Sequence, residues 1–130
     1  KEPEDEQFRH TALREASEEL GVSTAGSEIL GALRRLYIPH SGFCVHPFVG
    51  YAEQPLRWCP DPAEVAELFA APLRQLLDPS TAHEEPQTHD GQSFLVPYYL
   101  FGSHRVWGAT AMILAELVAL MRAEPPVNGR

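Results

Sequence analysis

The chain has 130 residues, 44% of them hydrophobic and 22% charged, and 10 Lys+Arg against 18 Asp+Glu leave a formal charge of −8, a composition that fits one globular domain. That acidity argues against a surface that wraps nucleic-acid phosphates, and no apolar run approaches the ~18 residues of a membrane span. Cys44 and Cys59 are too few for a disulfide framework and make no zinc pattern, which points to a reduced, cytoplasmic setting with a single bridge left open.

The chain opens on Lys1, carries methionine only at positions 112 and 121, and reads as a processed piece of a longer protein. Residues 4–20 have the spacing of a helix, with Leu13, Ala16 and Leu20 on one side and Gly21 as its left-handed stop. Residues 29–37 read as a strand that ends at the Pro39-His40-Ser41-Gly42 turn. Residues 43–51 read as a second strand, apolar on both faces and suited to the middle of a sheet, with Pro47 forcing a bulge or an edge. A proline-rich loop over 53–62 leads to a candidate strand at 64–69 and a short helix at 72–77. The polar stretch 78–91 reads as a hairpin tip or exposed loop, 93–101 as a strand, 106–122 as an amphipathic helix, and 123–130 as a flexible tail.

The segment Arg14-Glu15-Ala16-Ser17-Glu18-Glu19-Leu20-Gly21-Val22 breaks the rules of a helix built only for stability. At about 100° per residue, Glu15, Glu18 and Glu19 fall within an arc of roughly 100°. Glu15 and Glu19 are a like-charge pair four residues apart, and Glu18 and Glu19 sit in the last turn, where the helix dipole disfavours anions by roughly 0.3–1 kcal/mol each. Local rules fail in this way at functional sites. A hard divalent cation resolves the conflict, because Mg²⁺ and Mn²⁺ take carboxylate oxygens. A solvated acidic face is the alternative that composition alone leaves open.

The string REASEELGV resembles the second half of the Nudix box, R-E-U-x-E-E-x-G-U with U aliphatic. Arg14, Glu15, Glu18, Glu19, Gly21 and Val22 match, and Ala16 is a small U. The upstream acid of the box falls at Asp5 or Glu6, and its leading glycine falls before Lys1. Further segments resemble the coenzyme A diphosphatase branch in order along the chain: Thr11 to Glu15, Ser41 to Gly50, Glu64-Val65 with Phe69 and Pro72-Leu73, and Val106 to Ala111.

The resemblance implies a Nudix fold, an α/β/α sandwich with a mixed sheet (class α/β or α+β), of which residues 1–122 supply the later part without the first strands. An incomplete core of that kind predicts a chain that is inactive or aggregation-prone on its own. The resemblance also implies an enzyme that hydrolyses a diphosphate bond in coenzyme A or acyl-CoA, releasing 4′-phosphopantetheine (or its acyl form) and adenosine 3′,5′-bisphosphate. Glu15 and Glu19 are the implied Mg²⁺ or Mn²⁺ ligands, with Glu18 a further ligand or the base that accepts the water's proton. Arg14 orients a carboxylate. Glu64 is a weaker candidate acid, His40 and His46 are candidate neighbours of a substrate path, and Arg34 and Arg35 are candidate phosphate contacts. The implied partner is a small diphosphate, not nucleic acid or membrane. ADP-ribose, NADH or another nucleoside diphosphate derivative is an alternative substrate, and a Nudix-fold binding module without turnover is an alternative of another class.

Overall fold

The computed structural model describes residues 3–23, 26–39, 41–65 and 67–123. These fall into two units, one comprising residues 1–37 and 43–69, the other residues 38–42 and 70–130. Helices and antiparallel strand pairs together make the class α+β, consistent with a Nudix fold. The tail at 124–130 and His40 lie outside the described residues, as does the Asp5 side chain.

The first unit opens with helix α1 (Pro3–Leu20), stopped by Gly21 at a φ of +64°. Strand β1 (Ser27–Ala32) pairs antiparallel with β4 (Phe48–Ala52), from Ser27 opposite Ala52 to Ala32 opposite Phe48. The register slips between Ile29 and Gly31, so Leu30 is a bulged residue and is 59% exposed. The long first strand expected over 29–37 is therefore two, β1 and β2 (Leu36–Ile38), separated by Leu33, Arg34 and Arg35. The strand expected over 43–51 is likewise two, β3 (Phe43–Val45) and β4, and β2 pairs with β3. Pro47 has no N–H to give a ladder and interrupts the run, while its carbonyl accepts the Leu33 amide at 3.0 Å. Nor is this segment a buried central strand: Phe43 is 70% exposed and Tyr51 52%.

No strand forms over the described part of 64–69. The Asp61 carboxylate accepts the Ala63 amide at 3.0 Å, and the Asp61 carbonyl accepts the amides of Glu64 and Val65. That turn uses the donors a strand would need.

The second unit holds the larger buried cluster. Helix α2 (Leu73–Leu76) leads through Asp78 into a single 3-10 turn (Pro79–Thr81), where the Asp78 carboxylate accepts the Ser80 amide and hydroxyl, both at 3.0 Å. Strands β5 (Ala82–His89), β6 (Gln92–Phe101) and β7 (His104–Trp107) form an antiparallel sheet in that order. Most of the stretch expected as a hairpin tip or loop is thus strand β5. The tip itself is Asp90-Gly91, both at positive φ, as a two-residue hairpin requires. Helix α3 (Gly108–Arg122) begins two residues later than expected, because Val106 and Trp107 belong to β7. Leu114, Leu117 and Val118 of α3 pack with Leu76, Leu77, Tyr99, Phe101 and Val106. Thr81 is buried with its hydroxyl donating to the Gln75 carbonyl at 2.7 Å, and Arg122 donates to the Leu77 carbonyl. Cys44 and Cys59 are both free and exposed.

Candidate active site on the acidic helix

Glu15, Glu18 and Glu19 are all exposed on α1, as their spacing requires. The Arg14 guanidinium donates to the Glu18 carboxylate at 3.2 Å, with both side chains more than half exposed. The three acids share a face without converging on a point. Among the described residues no group of three His, Cys, Asp or Glu side chains is arranged to hold a metal ion. The donor set nevertheless suits a hard cation, being three carboxylates on one stretch of rigid helix.

The C-terminal end of this helix is tied down by the loop that follows the sheet. The Cys59 amide donates to the Leu20 carbonyl and the Asp61 amide to the Glu19 carbonyl, each at 2.8 Å, so two of the helix's unpaired carbonyls are satisfied from outside. Gly21 makes the approach possible: a Cβ there would lie 2.0 Å from the Cys59 carbonyl oxygen. Val22, next in the chain, is 4% exposed and anchors the exit. The turn that bears Glu64 follows directly from Asp61, so this candidate acid, itself exposed, belongs to the segment bonded to the last turn of the acidic helix.

At the other end of the same face, Phe8 stacks on His46 with ring centroids 3.8 Å apart. Phe8, Glu15 and Glu19 fall within about 40° of one another around the helix, and Glu15 lies about 10 Å beyond Phe8 along the axis. His46 lines a cavity of about 450 Å³ together with Arg9, Leu33, Arg35, Pro47 and Phe48. The two guanidiniums give this cavity a cationic character that suits an anionic ligand. Arg35 is thus a cavity residue on the connector between β1 and β2, whereas Arg34 is not among the lining residues. Arg9 and Phe8 escape a reading based on the box alone; the signal for Phe8 is its place seven residues before Glu15, on the same stripe.

Comparison with known proteins finds relatives along most of the chain. The chain is 36% identical over 116 residues to a protein of Photorhabdus laumondii named "Uncharacterized Nudix hydrolase NudL", covering 89% of this chain and 62% of that protein. It is 37% identical over 125 residues to the human "Mitochondrial coenzyme A diphosphatase NUDT8", covering 92% of this chain and 52% of that protein. The mouse protein of the same name is 35% identical over 127 residues, covering 92% and 58% respectively. Over about nine-tenths of its length the chain is thus similar to proteins named as Nudix hydrolases or coenzyme A diphosphatases. It spans between about half and three-fifths of the length of these Nudix relatives. No family model matches it. Among the described residues of this Nudix homologue no helix is long and apolar enough to cross a membrane.

Proposed function

We propose that the chain carries the catalytic helix of a divalent-metal-dependent diphosphate hydrolase, acting on coenzyme A or acyl-CoA to release 4′-phosphopantetheine (or its acyl form) and adenosine 3′,5′-bisphosphate. The observation that carries this reading is the Glu15, Glu18 and Glu19 face, held rigidly by a helix whose end is bonded to the Cys59–Asp61 backbone. The relatives named as coenzyme A diphosphatases support the substrate class.

In this reading Glu15 and Glu19 hold Mg²⁺ or Mn²⁺, and Glu18 is a further ligand or the base. A bound divalent cation supplies neutralisation of diphosphate charge and a lowered pKa for bound water. Arg14 is a positioning residue, since it already bonds Glu18 at 3.2 Å. Arg9, Arg35 and His46 line the cationic cavity of the same unit and receive negatively charged substrate groups. Glu64 stands in reserve as a further acid on the turn tied to the helix.

The test is an assay of the purified protein that carries this chain together with any sequence flanking it, with Mg²⁺ or Mn²⁺, offering coenzyme A, ADP-ribose and NADH in parallel. Metal-dependent appearance of adenosine 3′,5′-bisphosphate from coenzyme A is the expected result. Cleavage of ADP-ribose or NADH instead would move the substrate assignment, and binding of coenzyme A without turnover would replace the enzyme with a binding module.

A further inference from the structure

The β5–β6–β7 sheet turns one face to α3 and leaves the other open. Tyr99, Phe101 and Val106 pack on the core side with Leu114, Leu117 and Val118. Alternation along the strands puts Glu85, Gln87, Val96, Tyr98, Arg105 and Trp107 on the opposite face, and these six residues line a cavity of about 160 Å³.

The cavity is built from ordered parts. His83, Tyr98 and Trp107 stand directly opposite one another across the three strands. His83 stacks on Tyr98 with centroids 5.3 Å apart, and the Arg105 guanidinium lies over the Tyr98 ring at 4.2 Å. Arg105 reaches on to Glu85, donating at 2.7 Å, and the Gln87 carboxamide donates to the other Glu85 oxygen at 3.3 Å. Tyr98 is thereby held in place, whereas Trp107 lines the cavity and is 58% exposed.

We propose that this face binds an aminopurine ring, stacked on Trp107 above Val96 and read along its edge by the Gln87 carboxamide. Three observations support it. The space is a small cleft of about 160 Å³ on a sheet face, open to solvent and walled in part by aromatic and apolar side chains, a shape that suits one flat ring system rather than an extended chain. The pairing of Glu85 with Arg105 leaves the lining without net charge, which favours a neutral planar ring over a phosphate. Beyond the N–H given to Glu85, the Gln87 carboxamide has a second N–H and a carbonyl oxygen, the donor–acceptor pair that reads the N6 and N7 of adenine.

The inference does not rest on the hydrolase reading, because adenosine carries no diphosphate and needs no metal. The experiment is a titration of the full chain with adenosine, without divalent cation, followed by the indole N–H resonance of Trp107 and the carboxamide resonance of Gln87. Both are expected to shift and saturate, and Trp107→Leu to weaken binding by about tenfold or more. The variant Gln87→Met changes an exposed residue and serves should Trp107→Leu fail to fold. It is expected to erase the preference for adenosine over inosine, which lacks the N6 donor. Glu19→Gln is expected to bind adenosine unchanged even where diphosphate turnover is lost. Absence of any shift on β5–β7 at saturating nucleoside, or an affinity unaltered by either cavity variant, would overturn the proposal.

Discussion

Gly21 does two things that no other residue type does together. It takes the left-handed conformation that stops α1, and it lets the Cys59 carbonyl pass where a side chain would stand. Gly21→Ala is therefore expected to cost about 1–3 kcal/mol from backbone strain alone, with a further cost from displacing the Cys59–Asp61 segment. Chemical denaturation checks the magnitude, and loss of amide protection at Cys59 and Asp61 checks the cause. Glu19→Gln keeps the helix former and removes the charge. On the proposed mechanism it lowers kcat by roughly 10²-fold or more while the far-UV circular dichroism stays that of the parent; unchanged turnover would remove this helix face from the chemistry. Arg14→Gln removes the guanidinium bonded to Glu18. A smaller drop than that of Glu19→Gln, with an altered pH profile, is expected if Arg14 acts through Glu18. These residues were legible because their information is local: a helix face and its glycine stop repeat at fixed angles, whatever the rest of the chain does. Phe8 and Arg9 were not, since only folding brings His46 and the β1–β2 connector to them.

Among the elements, β5 shows how a strand hides in a sequence. Ala-His-Glu-Glu-Pro-Gln-Thr-His is polar and interrupted by Pro86, yet it lies at the edge of its sheet, where proline is tolerated. The Asp90-Gly91 turn sets the register against β6. Its order depends partly on charge. Arg105, by donating to Glu85, holds that carboxyl below the ordinary glutamate range, with a smaller contribution from Gln87. A carboxyl lowered on folding contributes stability above its unfolded pKa and loses that contribution as pH falls through the folded value. Glu85→Gln is therefore expected to melt below the parent at neutral pH and to converge with it in acid, read as thermal midpoints across a pH series. A constant gap at all pH would assign the loss to packing. Asp78 follows the same sign, lowered chiefly by the Ser80 amide and then by the Ser80 hydroxyl. Helix α3 was legible from its apolar spacing, but its start was not, because Val106 and Trp107 are equally at home in a strand.

On the scale of the whole molecule, buried apolar residues are unevenly shared. The second unit buries Leu76, Phe101, Ala111 and Val118, whereas Val22 is the buried hydrophobic residue of the first among the described residues. Amide exchange tracks local stability, so β6 and α3 are expected to exchange slowest and the β1–β4 pair markedly faster. Equal protection in the two units would contradict that ordering. Val118→Ala, which removes two methyl groups from the larger cluster, is expected to cost about 1–3 kcal/mol by chemical denaturation.

Fold class and site follow different routes from the residues. The sequence by itself determined the acidic helix, its glycine stop, the identity of the three carboxylates and the resemblance to the Nudix box, because each is a pattern within about twenty neighbouring positions. Tertiary structure alone decided that residues 64–65 form a turn bonded to that helix's loop, that Pro47 divides one strand into two, and that Arg9 and Arg35 share a cavity with His46. It alone also placed Trp107, Arg105 and Gln87 around one cavity on three strands. Those outcomes depend on which donors and acceptors find partners far along the chain. Hydrogen-bond satisfaction is a property of the folded neighbourhood, and no window of local sequence contains it.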